Sequence, residues 1–184
     1  MQSRWREKSP KDKIQSLRCL RAMLGLLKTA GASQYLPQIM STVNASLGDN
    51  ETELSTENIE IRFLAIQILD LLVRRVWDDS EETVGENLTS IVVALIPVLS
   101  GSNDSGGLPS TSNREGNSVT KAVSLLKWLT EGTRGGFLKG SFKNIPFLPQ
   151  TPALDPVRSS LEKIGLDFND LRLTMTEASL SRFS

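Results

Sequence analysis

Apolar residues recur at every third or fourth position through most of this 184-residue chain. A spacing near 3.6 places such residues on one face of a helix, whereas a strand with one buried face alternates at every second position. Alternation of the second kind is hard to find here. The pattern therefore predicts an all-α fold.

The first hundred residues predict four helices. The first two are at about 12–29 and 34–47, the third has Asn58 or Thr56 as its cap and runs to about 76, and the fourth is at about 84–99. The first carries a stripe in which Cys19 is interpreted as a small core residue, and Ser33 is placed to cap the second. The third is apolar on much of its surface, so we expect it to be covered on more than one side. An acidic turn, 77–82, is predicted before the fourth helix, which Pro97 is expected to kink or end early. The stripe of the first helix is Ile14, Leu17, Leu20, Met23, Leu24 and Leu27.

The stripes of these helices repeat in pairs. The second helix matches the fourth at a shift of 52 positions, and the first matches the third at a shift of 45. Helix pairs repeating every 40 to 50 residues are typical of HEAT repeats, which stack because no unit buries its own face. Residues 12–99 are thus predicted to form two HEAT-like hairpins of an α-solenoid, with an ordinary helical bundle as the alternative. The matched positions are Leu36, Ile39, Met40, Val43 and Leu47 with Leu88, Ile91, Val92, Leu95 and Leu99, and Ile14, Met23, Leu24, Leu26 and Leu27 with Ile59, Ile68, Leu69, Leu71 and Leu72.

The second half of the chain is less regular. Residues 100–117 hold no core-forming residues and are predicted to be a disordered, low-complexity insertion. The Pro-rich segment 144–156 is predicted to be extended, with apolar residues that can still pack on the helices. Residues 118–184 are predicted to contain this segment and further helices at about 119–131, 155–164 and 168–180. The last stripe has little after it to cover it, so we expect the chain to be a section of a longer stack.

Composition excludes much enzymology. The chain has no His and one Cys, which removes His-based catalysis, an intrachain disulfide and any multi-Cys metal site. The Gly-rich stretch 132–140 fails as a phosphate-binding loop, because Ser141 and Phe142 stand where Lys and Ser or Thr are required. We predict no catalytic, cofactor-binding or metal-binding residue, no cofactor and no small-molecule substrate, and hence no enzyme.

The zero net charge is a cancellation between a basic N-terminus, whose first 11 residues are predicted to be a tail, and an acidic region at 49–86. The acidic residues are expected mostly on solvated linkers. The basic residues could touch nucleic acid or an acidic partner, or simply form a solvated helix face. Direct nucleic-acid binding is not expected from a chain of this charge. The possible interaction surface comprises Arg4, Arg6, Lys8, Lys11, Trp77 and Phe147.

No targeting or membrane segment is predicted. The N-terminus is charged and leads into no apolar stretch. The longest apolar runs, near 61–76 and 91–99, are interrupted by charged residues or too short to cross a bilayer. We expect a soluble, intracellular protein without a membrane partner.

Three Pro-containing strings carry a family resemblance. They are Tyr35-Leu-Pro-Gln-Ile-Met in the first hairpin, Leu95-Ile-Pro-Val-Leu at the end of the second, and Asn144-Ile-Pro-Phe-Leu-Pro. In this order the chain, from about residue 11 to 184, resembles the UME region of ATR-type DNA-damage checkpoint kinases, which are serine/threonine-protein kinases of the phosphoinositide-3-kinase-like family. No catalytic motif of that family falls on any position here.

The resemblance implies a context. In these kinases the UME segment is part of a long helical-repeat solenoid upstream of the FAT and kinase domains. It implies nuclear location, DNA-damage signalling, and a scaffold that contacts other solenoid segments and regulatory proteins. The alternative is a free-standing HEAT adaptor in transport or chromatin, which binds an acidic or helical ligand through the face at 4–28. An enzyme is the third hypothesis.

Overall fold

The computed structural model describes residues 5, 7–48, 55–100, 113–132, 139–143, 145, 148 and 150–167. These residues form α-helices and short 3₁₀ turns and include no strand, which confirms the all-α prediction. The 3₁₀ turns are Ala32–Tyr35 and Pro152–Leu154. The helices are α1 (Pro10–Leu26), α2 (Leu36–Gly48), α3 (Thr56–Asp79), α4 (Glu81–Ser100), α5 (Asn113–Gly132), α6 (Lys139–Lys143) and α7 (Asp155–Lys163).

Polar side chains set the starts of α1 and α3. The hydroxyl of Ser9 accepts the backbone N–H of Asp12, and Pro10 occupies the first turn, where its missing N–H costs nothing. The hydroxyl of Ser55 likewise accepts the backbone N–H of Asn58 at 3.2 Å. Each bond satisfies one of the backbone donors that a helix start leaves without a partner. The helix α1 therefore begins two residues before its predicted start, and the cap of α3 is Ser55, not Asn58 or Thr56.

Several boundaries differ from those predicted. Trp77 lies in the last turn of α3 and not in an acidic turn, because the buried Val76 and the half-buried Trp77 extend the apolar surface of the helix. The helix α4 runs through Pro97 to Ser100, since a proline removes only one backbone bond near the end. A 3₁₀ turn at Pro152–Leu154 interrupts the Pro-rich segment that was predicted to be extended.

The helix α5 begins at Asn113, inside the stretch predicted as a disordered insertion. Asn, Arg and Glu tolerate a helical backbone, so a helix can start before its apolar stripe does. The remainder of the predicted insertion, 101–112, and the predicted last helix, 168–180, lie outside the described residues. Both stay predictions.

Cys19 is exposed, so its interpretation as a core residue is wrong. The buried residues of α1 are Ile14, Leu17 and Leu24. Cys19 follows Leu17 by two positions, which is about 200° around the helix. It therefore lies on the opposite face, and Met23, which was assigned to the core stripe, is exposed as well.

The helix α3 is the centre of the fold and is covered on several sides, as its sequence predicts. It packs against α1, α2, α4 and α5. The helices α3 and α4 pack together and α2 packs on both of them, whereas α1 and α2 make almost no contact with each other. The two hairpins and the longer solenoid therefore stay predictions. The buried residues of α3 are Ile61, Leu64, Ala65, Ile66, Ile68, Leu69, Leu72, Val73 and Val76.

By length and composition α4 could cross a membrane, over Glu81–Leu99, although the runs considered in the sequence were interrupted or too short. A buried core helix meets the same criterion. Here Leu88, Ile91 and Leu95 are fully buried, and α4 contacts α2, α3 and α5. In this structure the apolar face of α4 is part of the protein core.

Candidate functional site

A cluster of two tryptophans and an arginine lies where α3 meets α5. The rings of Trp77 and Trp128 pack edge to face, with centroids 5.2 Å apart and planes at 68°. The guanidinium carbon of Arg74 lies 4.7 Å from the centroid of the Trp128 ring, and its Nε donates to the Asp70 carboxylate at 2.8 Å. We call Asp70, Arg74, Trp77 and Trp128 the tryptophan cluster.

Helical periodicity explains how α3 forms its part of the tryptophan cluster. Positions 70, 74 and 77 share one face, being spaced by four and three residues. An edge-to-face aromatic pair contributes about 0.5–1.5 kcal/mol beyond its buried area, and a cation–π contact contributes about 0.5–1 kcal/mol or more. Both tryptophans are half-buried, so these contacts hold the rings rigid while part of each stays accessible. Trp and Arg are the residues most enriched at the energetic centres of protein interfaces.

A second polar arrangement lies at the turn between α1 and α2. From α3, the guanidinium of Arg75 donates through Nη1 to the carbonyl of Leu27 and through Nη2 to the carbonyl of Gly25 at 3.3 Å. One helical turn later, the Asp79 carboxylate accepts the backbone N–H groups of Gly31 and Ser33, both at 3.0 Å. We call Arg75 and Asp79 the turn clamp.

The hydroxyl of Ser33 also donates to Asp79, at 2.7 Å. Ser33 therefore does not cap the following helix as predicted. Its hydroxyl is bonded to Asp79, and Ser33 itself lies inside the 3₁₀ turn Ala32–Tyr35. Gly31 adopts φ +84°, a left-handed conformation that glycine adopts without the strain a side chain would bring. The bonds from the Ser33 hydroxyl, the Ser33 N–H and the Gly31 N–H lower the pKa of Asp79. The carboxylate thus stays ionised at neutral pH.

The charges of the turn clamp are opposite to the partial charges of the two helix ends that it contacts. A cation binds carbonyls at the C-terminus of α1, and an anion binds amides at the start of the 3₁₀ turn. Partners along the chain are separated by 46 to 50 positions. The clamp therefore attaches the turn between α1 and α2 to α3, and we assign it a structural role.

The helices α1 and α3 run parallel, and a surface groove lies between them. Arg18 pairs with Glu60, and Arg21 donates to the side-chain oxygen of Gln67, while the C-terminus of α1 meets Arg75. Contacts therefore advance along both helices in the same direction. The groove has a volume of about 410 Å³ and is lined by Arg18, Arg21, Ala22, Glu60, Phe63 and Leu64.

The predicted interaction residues do not form one site. Lys8 and Lys11 are exposed near the start of α1, where the Lys8 ammonium donates to Ser16 at 2.9 Å and lies 5.4 Å from the Trp5 ring centroid. Trp77 is at the C-terminal end of the parallel α3, so it and the two lysines belong to opposite ends of the hairpin pair. Arg4, Arg6 and Phe147 lie outside the described residues.

Sequence reasoning missed the turn clamp and the role of Trp128. Glu60, Asp70 and Asp79 lie on α3 and bind partners there, whereas the sequence placed most acidic residues on solvated linkers. The spacing of Arg75 and Asp79 was the available signal, since residues four apart share a helix face. In the described part of the chain no three metal-ligating side chains converge.

A protein-family model matches residues 1–99, and its description is UME (NUC010) domain. The match contains both predicted hairpins and the whole turn clamp. Comparisons with curated proteins and with solved structures found no match.

Proposed function

This chain belongs to the UME domain family, and we propose that it is a non-catalytic helical-repeat segment of an ATR-type DNA-damage checkpoint kinase. Its role in that proposal is structural, with partner binding by its exposed surfaces. The parent protein would act in the nucleus, and other solenoid segments and regulatory proteins would be its partners.

The family match carries the proposal, and the way α1 docks on α3 supports it. The matched residues end within α4, so they coincide with two helix pairs. The parallel α1 and α3, joined by the turn clamp, have a defined position relative to each other. Such unit-to-unit attachment is how repeat proteins transmit a fixed curvature along a stack.

Partner binding is supported by the tryptophan cluster. Its rings are held by packing and by Arg74, so little side-chain entropy is lost when a partner covers them. A mechanism of this kind is geometric: the segment sets distances and presents surfaces, and catalysis would belong to another domain of the parent protein.

Sequencing the transcript of the encoding gene tests the proposal. We expect the open reading frame to continue downstream into a FAT region and a protein-kinase region. In cells, deletion of residues 10–100 from the parent gene should abolish damage-induced phosphorylation of checkpoint substrates, while the charge-removing substitution K127M should leave it intact. A transcript with no kinase region would refute the kinase assignment.

The free-standing adaptor is the second candidate, and the outer face of α1 favours it. Met23 and Leu26 are exposed there, 67% and 87% respectively, next to cationic side chains. A short transcript together with saturable binding of a protein ligand would support the adaptor in place of the kinase segment.

A further inference from the structure

An apolar stripe lies on the face of α1 that points away from its buried residues. Met23 is 67% exposed and Leu26 is 87% exposed, and Cys19 and Ala22 are exposed on the same face. Positions 19, 22, 23 and 26 follow helical spacing, so they form one continuous stripe. Large exposed apolar side chains grouped in this way are typical of an interaction site.

The groove between α1 and α3 continues this stripe on one side. Ala22 belongs to both the stripe and the groove wall, and Phe63 and Leu64 of α3 supply further apolar surface. An apolar groove along a helix has the shape and chemistry that accept another amphipathic helix, whose side chains at i, i+3, i+4 and i+7 enter it.

The charges around this surface are mostly positive. Residues 7–28 contain six lysines and arginines and two carboxylates, Glu7 and Asp12, which is a net charge of +4. At the groove, Arg18 is paired with Glu60, but Arg21 binds a neutral amide, that of Gln67. An incoming carboxylate would therefore compete only with a neutral amide for the guanidinium of Arg21.

We propose that the α1 outer face, comprising Cys19, Ala22, Met23, Leu26 and the adjoining groove, binds an amphipathic helix with acidic residues beside its apolar stripe. This inference rests on the proposed partner-binding role and names the surface and the kind of partner. The apolar stripe buries the partner's leucines, and Arg21 and Lys28 pair with its carboxylates. Nucleic acid fits less well, because Met23 and Leu26 would gain nothing from a phosphate backbone.

A designed peptide tests the proposal with the full chain. The probe is a fluorescein-labelled helix of about four turns, with leucines at helical spacing and glutamates on both flanks. The fluorescence anisotropy of the peptide should rise to a plateau as the protein is added. The affinity of the protein for the peptide should fall as the salt concentration rises, because salt screens the attraction between opposite charges. A peptide of the same composition in scrambled order is the control for sequence-independent attraction.

Two variants separate the apolar and the charged contributions. M23S/L26S and R21E should each weaken peptide binding by about tenfold or more, since exposed anchors and a steering charge are lost. V93S, which changes a 45% exposed apolar residue on α4, should bind the peptide like the parent chain. Circular dichroism melts of M23S/L26S and V93S should agree with that of the parent chain, because these side chains are exposed. R21E also loses its exposed bond to Gln67, so a small decrease in Tm with a cooperative transition is expected.

Four outcomes would overturn the proposal. These are no saturable binding, equal binding of the scrambled peptide, unchanged affinity of both variants, and tighter binding to anionic lipid vesicles than to the peptide. If sedimentation shows that the parent chain self-associates and that M23S/L26S does not, the occupant of this surface is a second copy of the chain and not an acidic helix. The transcript experiment is independent of all of these, so a failed peptide experiment leaves the kinase assignment standing.

Discussion

Replacing Arg75 by methionine tests whether the turn clamp attaches the turn after α1 to α3. Methionine keeps an apolar stem of similar reach and removes the guanidinium, so packing along α3 is largely preserved. The carbonyls of Leu27 and Gly25 then lose their donor. We expect the R75M protein to remain folded and to be less stable.

The expected loss follows from the two bonds. The bond to Leu27 is half-buried and involves a charged donor, so we assign it about 1.5 kcal/mol. The bond to Gly25 is exposed and longer, and we assign it about 0.5 kcal/mol. The sum is about 2 kcal/mol, which corresponds to a decrease in Tm of about 4–8 °C for a chain of this size.

Urea unfolding followed by tryptophan fluorescence measures this loss, because Trp77 lies two residues from the substitution. The matched control is K127M, which removes a cation from an exposed pair with Glu131 at 3.7 Å. An exposed pair of this kind contributes about 0.3–0.5 kcal/mol. The slope of the free energy of unfolding against urea concentration should be the same in both variants if the substitutions destabilise only the folded state.

A loss below about 0.5 kcal/mol for R75M, or an equal loss for K127M, would refute the clamp. A double-mutant cycle of R75M with D79N adds a second criterion. Both residues hold the same turn, so their effects should be less than additive. Strict additivity would mean that the two side chains act independently.

The remaining predictions concern the Asp79 carboxylate and the tryptophan cluster. The folded pKa of Asp79 is below its unfolded value, so its stabilising contribution is complete above about pH 5 and is lost as pH falls through about 4 towards the folded pKa. The Tm of D79N should therefore be lower than that of the parent chain at neutral pH, and the two Tm values should approach each other at acid pH. A Tm difference that stays constant across that range would contradict this. W128L should cost about 1–3 kcal/mol and remove near-ultraviolet circular dichroism from the Trp77 pair, because the edge-to-face and Arg74 contacts are both lost. Retention of that signal in W128L would show that the pair is not formed in solution.

Local periodicity made the helices predictable, whereas their ends and caps depended on contacts. The stripes of α2 and α4 are buried at the predicted positions, because a spacing of 3.6 depends only on the residues within one helix. The end of α3 was placed too early, since Val76 and Trp77 continue its apolar surface. The predicted role of Ser33 was also wrong. Its hydroxyl could cap a helix or bond to another side chain, and the position of Asp79 decides that it does the second.

The candidate site was less predictable than the fold. Trp77 was predicted to be an interaction residue because the sequence placed it in a turn, but it lies in α3 and packs on Trp128, 51 positions later on another helix. Nothing in the spacing of one helix reports which helix lies beside it. The same holds for Cys19, whose exposure depends on the side of α1 that α3 covers.

The amino-acid sequence alone determined the helical class, the apolar stripes of α2 and α4, and the central position of an α3 that is apolar around most of its surface. Each of these is a property of residues within about twenty positions of one another, where helix geometry relates spacing to direction. The tertiary structure decided which charges meet, which tryptophans pack together and which face of α1 stays open. Those outcomes depend on how α1 and α5 dock on α3. Docking brings together residues about fifty positions apart, and the spacing of residues within one helix does not predict such contacts.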